Sequence, residues 1–341
     1  MQPSSGDNTL SRIAEAAVRL NRGELVAFPT ETVYGLGAEI SQARAIDALF
    51  AIKGRPRSHP LIVHFADPAD IAYWAENIPE YAWQLIENFW PGPLTLIVRK
   101  SMHVPLSVTG GQDTVGLRIP RHPLALALLT ALGSRKALAA PSANRFGHIS
   151  PTLASHVEAD FGNQLGMILD GGACAVGLES TIISCVDHSP QLLRPGGISP
   201  ATIEHVLKCS ITSEAAHTNV RVSGSLVSHY APVTPFDVFS NEMLISHLDA
   251  PAQQALRVGI LIHSQALQAL FSAKKNVHCT LMPNDPENYG KRLYATLRAL
   301  DQQGFNRLLA EAVPDNADWL AITDRLQRAS HHLLQSLYIP G

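Results

Sequence analysis

Residues 181–193 read TIISCVDHSPQLL. The largely apolar, β-branched run Thr181 to Val186 reads as one strand, and Gln191 to Leu193 as another. Between them stand only Asp187, His188, Ser189 and Pro190, residues that turn the chain. A parallel crossover needs a dozen or more residues, so this pair closes as an antiparallel hairpin. Outward from it, helical spacing alternates with short buried runs. Leu10, Ile13, Ala14, Ala17 and Val18 form a helix stopped by Gly23; Ala45, Ile46, Leu49 and Phe50 form a second. Further helices span Leu124 to Leu132 and begin near Pro151. Strands are expected at Leu25 to Phe28, Leu61 to Phe65, Leu94 to Val98, Val115 to Ile119, Ala137 to Ala140 and Met167 to Leu169. Strands alternating with helices, plus one hairpin, make an α/β fold whose sheet is mixed and flanked by helices.

The alternation lapses after Ile203 to Cys209. A stretch rich in Ser, Thr, Ala and Val follows, closed by His229-Tyr230-Ala231-Pro232. The expected organisation is therefore a first domain over 1–210, a linker over 211–233 and a smaller Rossmann-like α/β domain over 234–341. In the last part strands are expected at Phe236 to Phe239, Val258 to Ile262 and Val277 to Leu281, with helices near Gln265, over Glu287 to Leu300 and over Trp319 to Ser330. No G-x-G-x-x-G or Walker pattern occurs there, so a packing or regulatory module is favoured over a second active site.

The chain has 341 residues, enough for two cores, and 46% are hydrophobic, which excludes a disordered scaffold. The polar start MQPSSGDNTL reads as neither signal nor transit peptide, and a cytoplasmic location is expected. Cys174, Cys185, Cys209 and Cys279 show no zinc-type spacing and are expected as buried free thiols. The formal net charge of -3 argues against a general nucleic-acid binder.

Positive charge is local instead. Lys53, Arg55 and Arg57 fall within five residues, in a loop shaped by Gly54, Pro56 and Pro60. Crowded cations repel one another unless an anion lies between them, and Arg and Lys are the side chains that hold phosphate. Arg118 ends a strand: if Val115 and Leu117 face one side, Thr114, Gly116 and Arg118 face the other, where Arg118 can grip a carboxylate. The loop Phe28 to Gly37 offers small hydroxyls, the carboxylate Glu31 and two glycines, suited to a polar small molecule. Ser142 and Asn144 stand in a turn after a strand, and Ser150 opens a helix, each able to cap a helix or touch a ligand. No nucleophile-base pair or metal cluster can be singled out. Hydroxyls, amides and cations suit electrostatic stabilisation of phosphoryl or carboxylate oxygens.

Taken in order, PTETVYGLG (29–37), KGRP and HPLIVH (53–64), WPGPLT (90–95), PSAN (141–144), LDGG (169–172), ESTI (179–182), LLRPGG (192–197) and HYAP (229–232) closely resemble the YrdC-type threonylcarbamoyl-AMP synthases in their long, two-domain form. The resemblance implies a YrdC-like twisted mixed sheet and a nucleotidyl transfer: L-threonine, bicarbonate and ATP giving threonylcarbamoyl-AMP and pyrophosphate. Another assembly would then move the threonylcarbamoyl group onto the adenosine next to the anticodon of certain tRNAs, with direct tRNA binding by this chain not required. It further implies that Thr32, His64, Arg118, the Ala140 backbone and Ser180 hold threonine. Lys53, Arg55, His59, Thr114, Ser142, Asn144, Ser150 and Arg194 would surround ATP, Tyr230 would close over it, and Mg²⁺ would accompany it. Lys53 and Arg55 are the expected catalytic cations. His59 stands where the family commonly has Asn, and Val222 to Leu226 departs from its usual Pro-Gly-Met run. The competing reading is a double-stranded RNA- or tRNA-binding module of the same fold without this catalysis.

Overall fold

A computed structural model describes residues 5–212, 220–224, 229–251 and 254–330. The chain divides into two compact units, residues 1–146 with 150–225, and 147–149 with 226–341.

The first unit holds strands β1 (Val26–Phe28), β2 (Gly35–Glu39), β3 (Ile62–His64), β4 (Ala75–Glu76) and β5 (Leu94–Lys100). It continues with β6 (Thr114–Arg118), β7 (Leu138–Ala139), β8 (Thr181–Ser184) and β9 (Gln191–Arg194). Their order in the sheet is β1-β2-β7-β3-β6-β5-β8-β9, with β4 beside β5. Two pairings, β3 with β6 and β5 with β8, are parallel, and the others are antiparallel, including the β8–β9 hairpin. The sheet is mixed, as the hairpin sequence requires.

Alternate strand residues enter separate cores, so helices cover the sheet on both faces. Ala27 and Ala139 join the larger core with Ile46, Leu49, Phe50, Leu85, Val115 and Leu117. Their neighbours Val26, Phe28 and Leu138 pack with Ala16, Leu20, Leu128 and Leu129 on the other face. Further along that second face, Ile97 and Ile182 are covered by Val222, with Val220 packed alongside. The second core rests on two helices whose sequences suit them. In Ser5–Asn21 the apolar residues recur at helical spacing, and Pro123–Leu132 starts with a proline whose missing N–H is no loss there.

Three expectations need correcting. Of the four cysteines expected as buried free thiols, Cys174 and Cys185 are buried, but Cys209 is exposed and Cys279 half-buried. Residues 28–37 are not one loop, because Gly35–Glu39 forms the fully buried strand β2. Met167–Leu169 makes a single parallel bridge, Ile168 with Ala27, rather than a strand.

The second unit carries β10 (Phe236–Phe239), β11 (Val258–Ile262), β12 (Val277–Leu281) and β13 (Arg307–Glu311), all parallel, in the order β10-β13-β11-β12. Leu244, Leu248, Leu267 and Phe271 from flanking helices pack on Val258, Ile260, Ile262 and Leu309. Parallel sheets need both faces covered, which explains the uninterrupted apolar run of β11. Among the described residues no helix is long and apolar enough to cross a membrane.

Candidate functional site

The site lies on the sheet face turned away from Val115 and Leu117, which are both in the larger core. Strand alternation therefore sends Thr114, Gly116 and Arg118 the other way, as their spacing requires. Register places His64 of β3 directly beside Arg118 of β6. Next along the face, Gly116 is closely packed by Ile62, Ile97 and Thr95: a Cβ there would come within 3.2–3.4 Å of all three side chains. Thr95 Oγ1 lies 2.7 Å from Ser180 Oγ, and Arg194 Nη2 donates to that same Ser180 hydroxyl at 3.1 Å. His64, Arg118, Thr95, Ser180 and Arg194 thus form one continuous polar row across five strands and strand ends.

Loops bound this row and hydrogen-bond to one another. Thr30 Oγ1 receives the N–H groups of Thr32 and Val33 and lies 2.8 Å from the Thr32 hydroxyl, which fixes the PTET turn. The Tyr34 N–H donates to the Pro151 carbonyl at 2.8 Å, and the Ala143 N–H to the Tyr34 carbonyl at 2.8 Å. Val176 N–H reaches the Glu31 carbonyl at 2.7 Å, and Ser150 Oγ bonds Glu179 Oε1 at 2.6 Å. Ala140 is buried, with its N–H donated to the Ile62 carbonyl at 3.0 Å.

The cations come from helix and strand ends. The helix Ala43–Lys53 stops at Gly54, whose φ of 65° glycine adopts without a Cβ penalty. That stop leaves Lys53 in the last turn and Arg55 just beyond it. Lys53 Nζ donates to the carbonyls of Ser142, at 2.7 Å, and Asn144. Burial, and Arg55 close by, push its pKa well below the ordinary lysine range, with Asp160 acting the other way. Two carbonyl acceptors favour the charged ammonium, and a phosphate oxygen would favour it further. Arg55 donates to the Pro60 carbonyl at 2.9 Å and to Ser223 Oγ at 3.3 Å, over the Phe146 ring. Arg194 holds the Ser180 carbonyl through Nε and Nη2, and the Ser223 carbonyl through Nη1 at 2.8 Å. Ser223, in the segment that departs from the family's run, therefore touches both arginines.

At the other end Arg118 is almost wholly buried. Its Nη2 meets Glu31 Oε1 at 2.8 Å and its Nε donates to the Gly92 carbonyl at 3.2 Å. His64 is buried with Nδ1 making no hydrogen bond, and burial together with Arg118 lowers its pKa to about 3. The imidazole is therefore neutral at physiological pH.

The structure brings Thr32, His64, Arg118, Ala140 and Ser180 to this face and its loops, with Lys53, Arg55, Ser142, Asn144, Ser150 and Arg194 around them. Thr114 stands at the start of β6 on the same face. His59 packs edge-on to Phe146, and burial, Arg55 and Arg221 lower its pKa. Tyr230 belongs to the second unit, where its buried ring lies 5.0 Å from the Arg325 guanidinium and 5.7 Å from the Tyr294 ring. The linker expected over 211–233 lies partly outside the described residues, including Ser225 and Leu226. Three residues that the structure brings into the site, Thr95, Glu31 and Ser223, carry no individual role in the sequence reading. Thr95 could have been found by alternation with Leu94 and Leu96, and Glu31 by asking what neutralises a buried Arg118.

Residues 18–196 match the family model for Sua5, YciO and YrdC proteins described as Telomere recombination. Residues 198–331 match the one described as Threonylcarbamoyl-AMP synthase, C-terminal domain. A threonylcarbamoyl-AMP synthase of Bacillus subtilis is 40% identical over 325 residues, covering 94% of this chain and 93% of that protein. One from Schizosaccharomyces pombe is 35% identical over 364 residues, covering 94% and 89%. The crystal structure of Pyrococcus abyssi Sua5 complexed with L-threonine is similar with a TM-score of 0.85 at 37% identity, over 94% of each chain.

Proposed function

The chain belongs to the threonylcarbamoyl-AMP synthase family, in the form that carries the C-terminal domain, and from that premise we propose how its first unit works. The observation that carries the reading is the polar row from His64 and Arg118 to Ser180 and Arg194, with Lys53 and Arg55 at its margin. Threonine occupies the Arg118 end. Its carboxylate meets the guanidinium, while Thr32, His64, Ser180 and the Ala140 backbone surround the rest. ATP occupies the end lined by Lys53, Arg55, His59, Thr114, Ser142, Asn144, Ser150 and Arg194.

The threonine amine, once deprotonated, attacks bicarbonate to give a carbamate with loss of water. A carbamate oxygen then attacks the α-phosphorus, and the bond to pyrophosphate breaks. An anion must approach a triphosphate, so Lys53, Arg55 and Arg194 offset the repulsion and stabilise charge moving onto pyrophosphate. Both substrates are held against a rigid sheet face, and this positioning supplies much of the rate. Among the described residues no three His, Cys, Asp or Glu side chains are grouped as metal ligands. Mg²⁺ would travel with the ATP phosphates, as part of the substrate, and screen their charge. The product is a mixed anhydride prone to hydrolysis, and a tRNA threonylcarbamoyl-transfer assembly is its consumer.

Pyrophosphate release measured with each reactant omitted in turn tests this. All three of threonine, bicarbonate and ATP should be required. Release at the full rate without threonine would sink the reading.

A further inference from the structure

Glu31 stands between the two threonines of the PTET turn, yet its carboxylate does not face solvent. Its Oε1 accepts from Arg118 Nη2 at 2.8 Å, and its Oε2 accepts from the Arg121 N–H at 3.0 Å. The side chains of Arg118 and Glu31 are 5% and 4% exposed. With Nε also held by the Gly92 carbonyl, the guanidinium plane is fixed from two sides, and Nη1 takes part in neither bond. Lys53, by contrast, rests on two neutral carbonyls.

Resting on the reading of Arg118 as the carboxylate contact, we propose that Glu31 is a positioning and specificity residue. It orients Arg118, and its negative charge lets that end of the site accept an α-amino acid while turning away polyvalent anions. An amino-acid zwitterion brings its own ammonium, so it adds no net charge beside Glu31. A sulfate, a pyrophosphate or the triphosphate of ATP brings two or more negative charges against a buried carboxylate, where screening is weak. Such anions are thereby directed to the Lys53, Arg55 and Arg194 end. The neutral state of His64 is consistent with this, since it adds no second cation beside Arg118.

The test uses the full-length chain, with inorganic sulfate as probe and ionic strength held constant with chloride. Calorimetric titration of the wild type should give a threonine Kd that sulfate leaves unchanged. In Glu31→Gln that Kd should rise about tenfold, and sulfate should now compete with threonine. A variant whose threonine affinity stays insensitive to sulfate would overturn the proposal, because a merely structural Glu31 would not confer anion resistance. Should Glu31→Gln fail to fold, initial-rate kinetics of the wild type decide: sulfate should compete with ATP and not with threonine. Competition with threonine in the wild type refutes the proposal. A wild type that binds no threonine at all instead refutes the reading of Arg118 on which it rests.

Discussion

His64 is the residue whose chemistry is most altered by its position. Its imidazole titrates near 6.5 in an unfolded chain but near 3 when buried beside Arg118. Below about pH 6.5 the unfolded state takes up a proton that the native state refuses. Stability therefore falls as the pH drops towards 3, by up to about 1.4 kcal/mol per unit from this group. Denaturant unfolding of the wild type and of His64→Gln should run parallel above pH 7 and converge or cross below 6; parallel curves throughout would refute the assignment. Arg118→Ala should abolish threonine binding while ATP affinity stays nearly intact, and calorimetry with each ligand reads this. It also strands Glu31 as a buried charge, so it should cost about 3–5 kcal/mol of stability. The double variant with Glu31→Ala should be less destabilised than the two single losses added together. Lys53→Ala should do the reverse of Arg118→Ala to function: turnover with ATP should fall about 100-fold, with threonine binding kept.

Among the elements, the β8–β9 hairpin was legible because its turn is too short for anything else, the β3 and β5 strands because apolar residues dominate them, and β6 because Val115 and Leu117 alternate with Thr114, Gly116 and Arg118. Strand β2 was not. Its sequence, Gly35 to Glu39, has glycines at its first and third positions and ends in a carboxylate, which local chemistry assigns to a loop. Only the fold shows that Glu39 is buried because Ser41 and Lys136 meet it. Strand β13 was missed for a related reason, since Arg307 and Glu311 bracket a core of only three apolar residues. Within the site, sequence reading named the cations and the hydroxyls, because each type advertises its chemistry. It gave no role to Glu31 or Ser223, whose parts depend on contacts 87 and 29 or more residues away. The hairpin's exit carries a further constraint. A Cβ on Gly196 would lie 2.3 Å from the Glu179 carbonyl and 2.4 Å from the Thr181 nitrogen. These are backbone atoms that cannot swing aside, and they flank Ser180. Gly196→Ala should lower stability by about 1–3 kcal/mol and raise the threonine KM, seen by thermal melting and initial rates. A variant that melts and turns over like the wild type would exclude this close packing.

For the whole molecule, the net charge of -3 hides a cationic end confined to one face of one unit. Pyrophosphate release should therefore proceed without tRNA, and added tRNA should not bind with the steep salt dependence of a phosphate-neutralising surface. Tight, salt-sensitive tRNA binding in a filter assay would contradict that division of labour. The order β10-β13-β11-β12 bears on how the second unit comes into being during synthesis. A ribosome releases residues 236–239 and 258–262 well before residues 307–311, yet the last of these three segments must slip between the other two. Until it emerges, the nascent chain offers β10 no partner on the side that β13 will fill, and β11 has only β12. For that interval the edges are open to wrong pairing with other chains. A chain interrupted anywhere before Arg307 would carry that exposure permanently, so early termination in this unit should yield aggregates rather than a shortened domain.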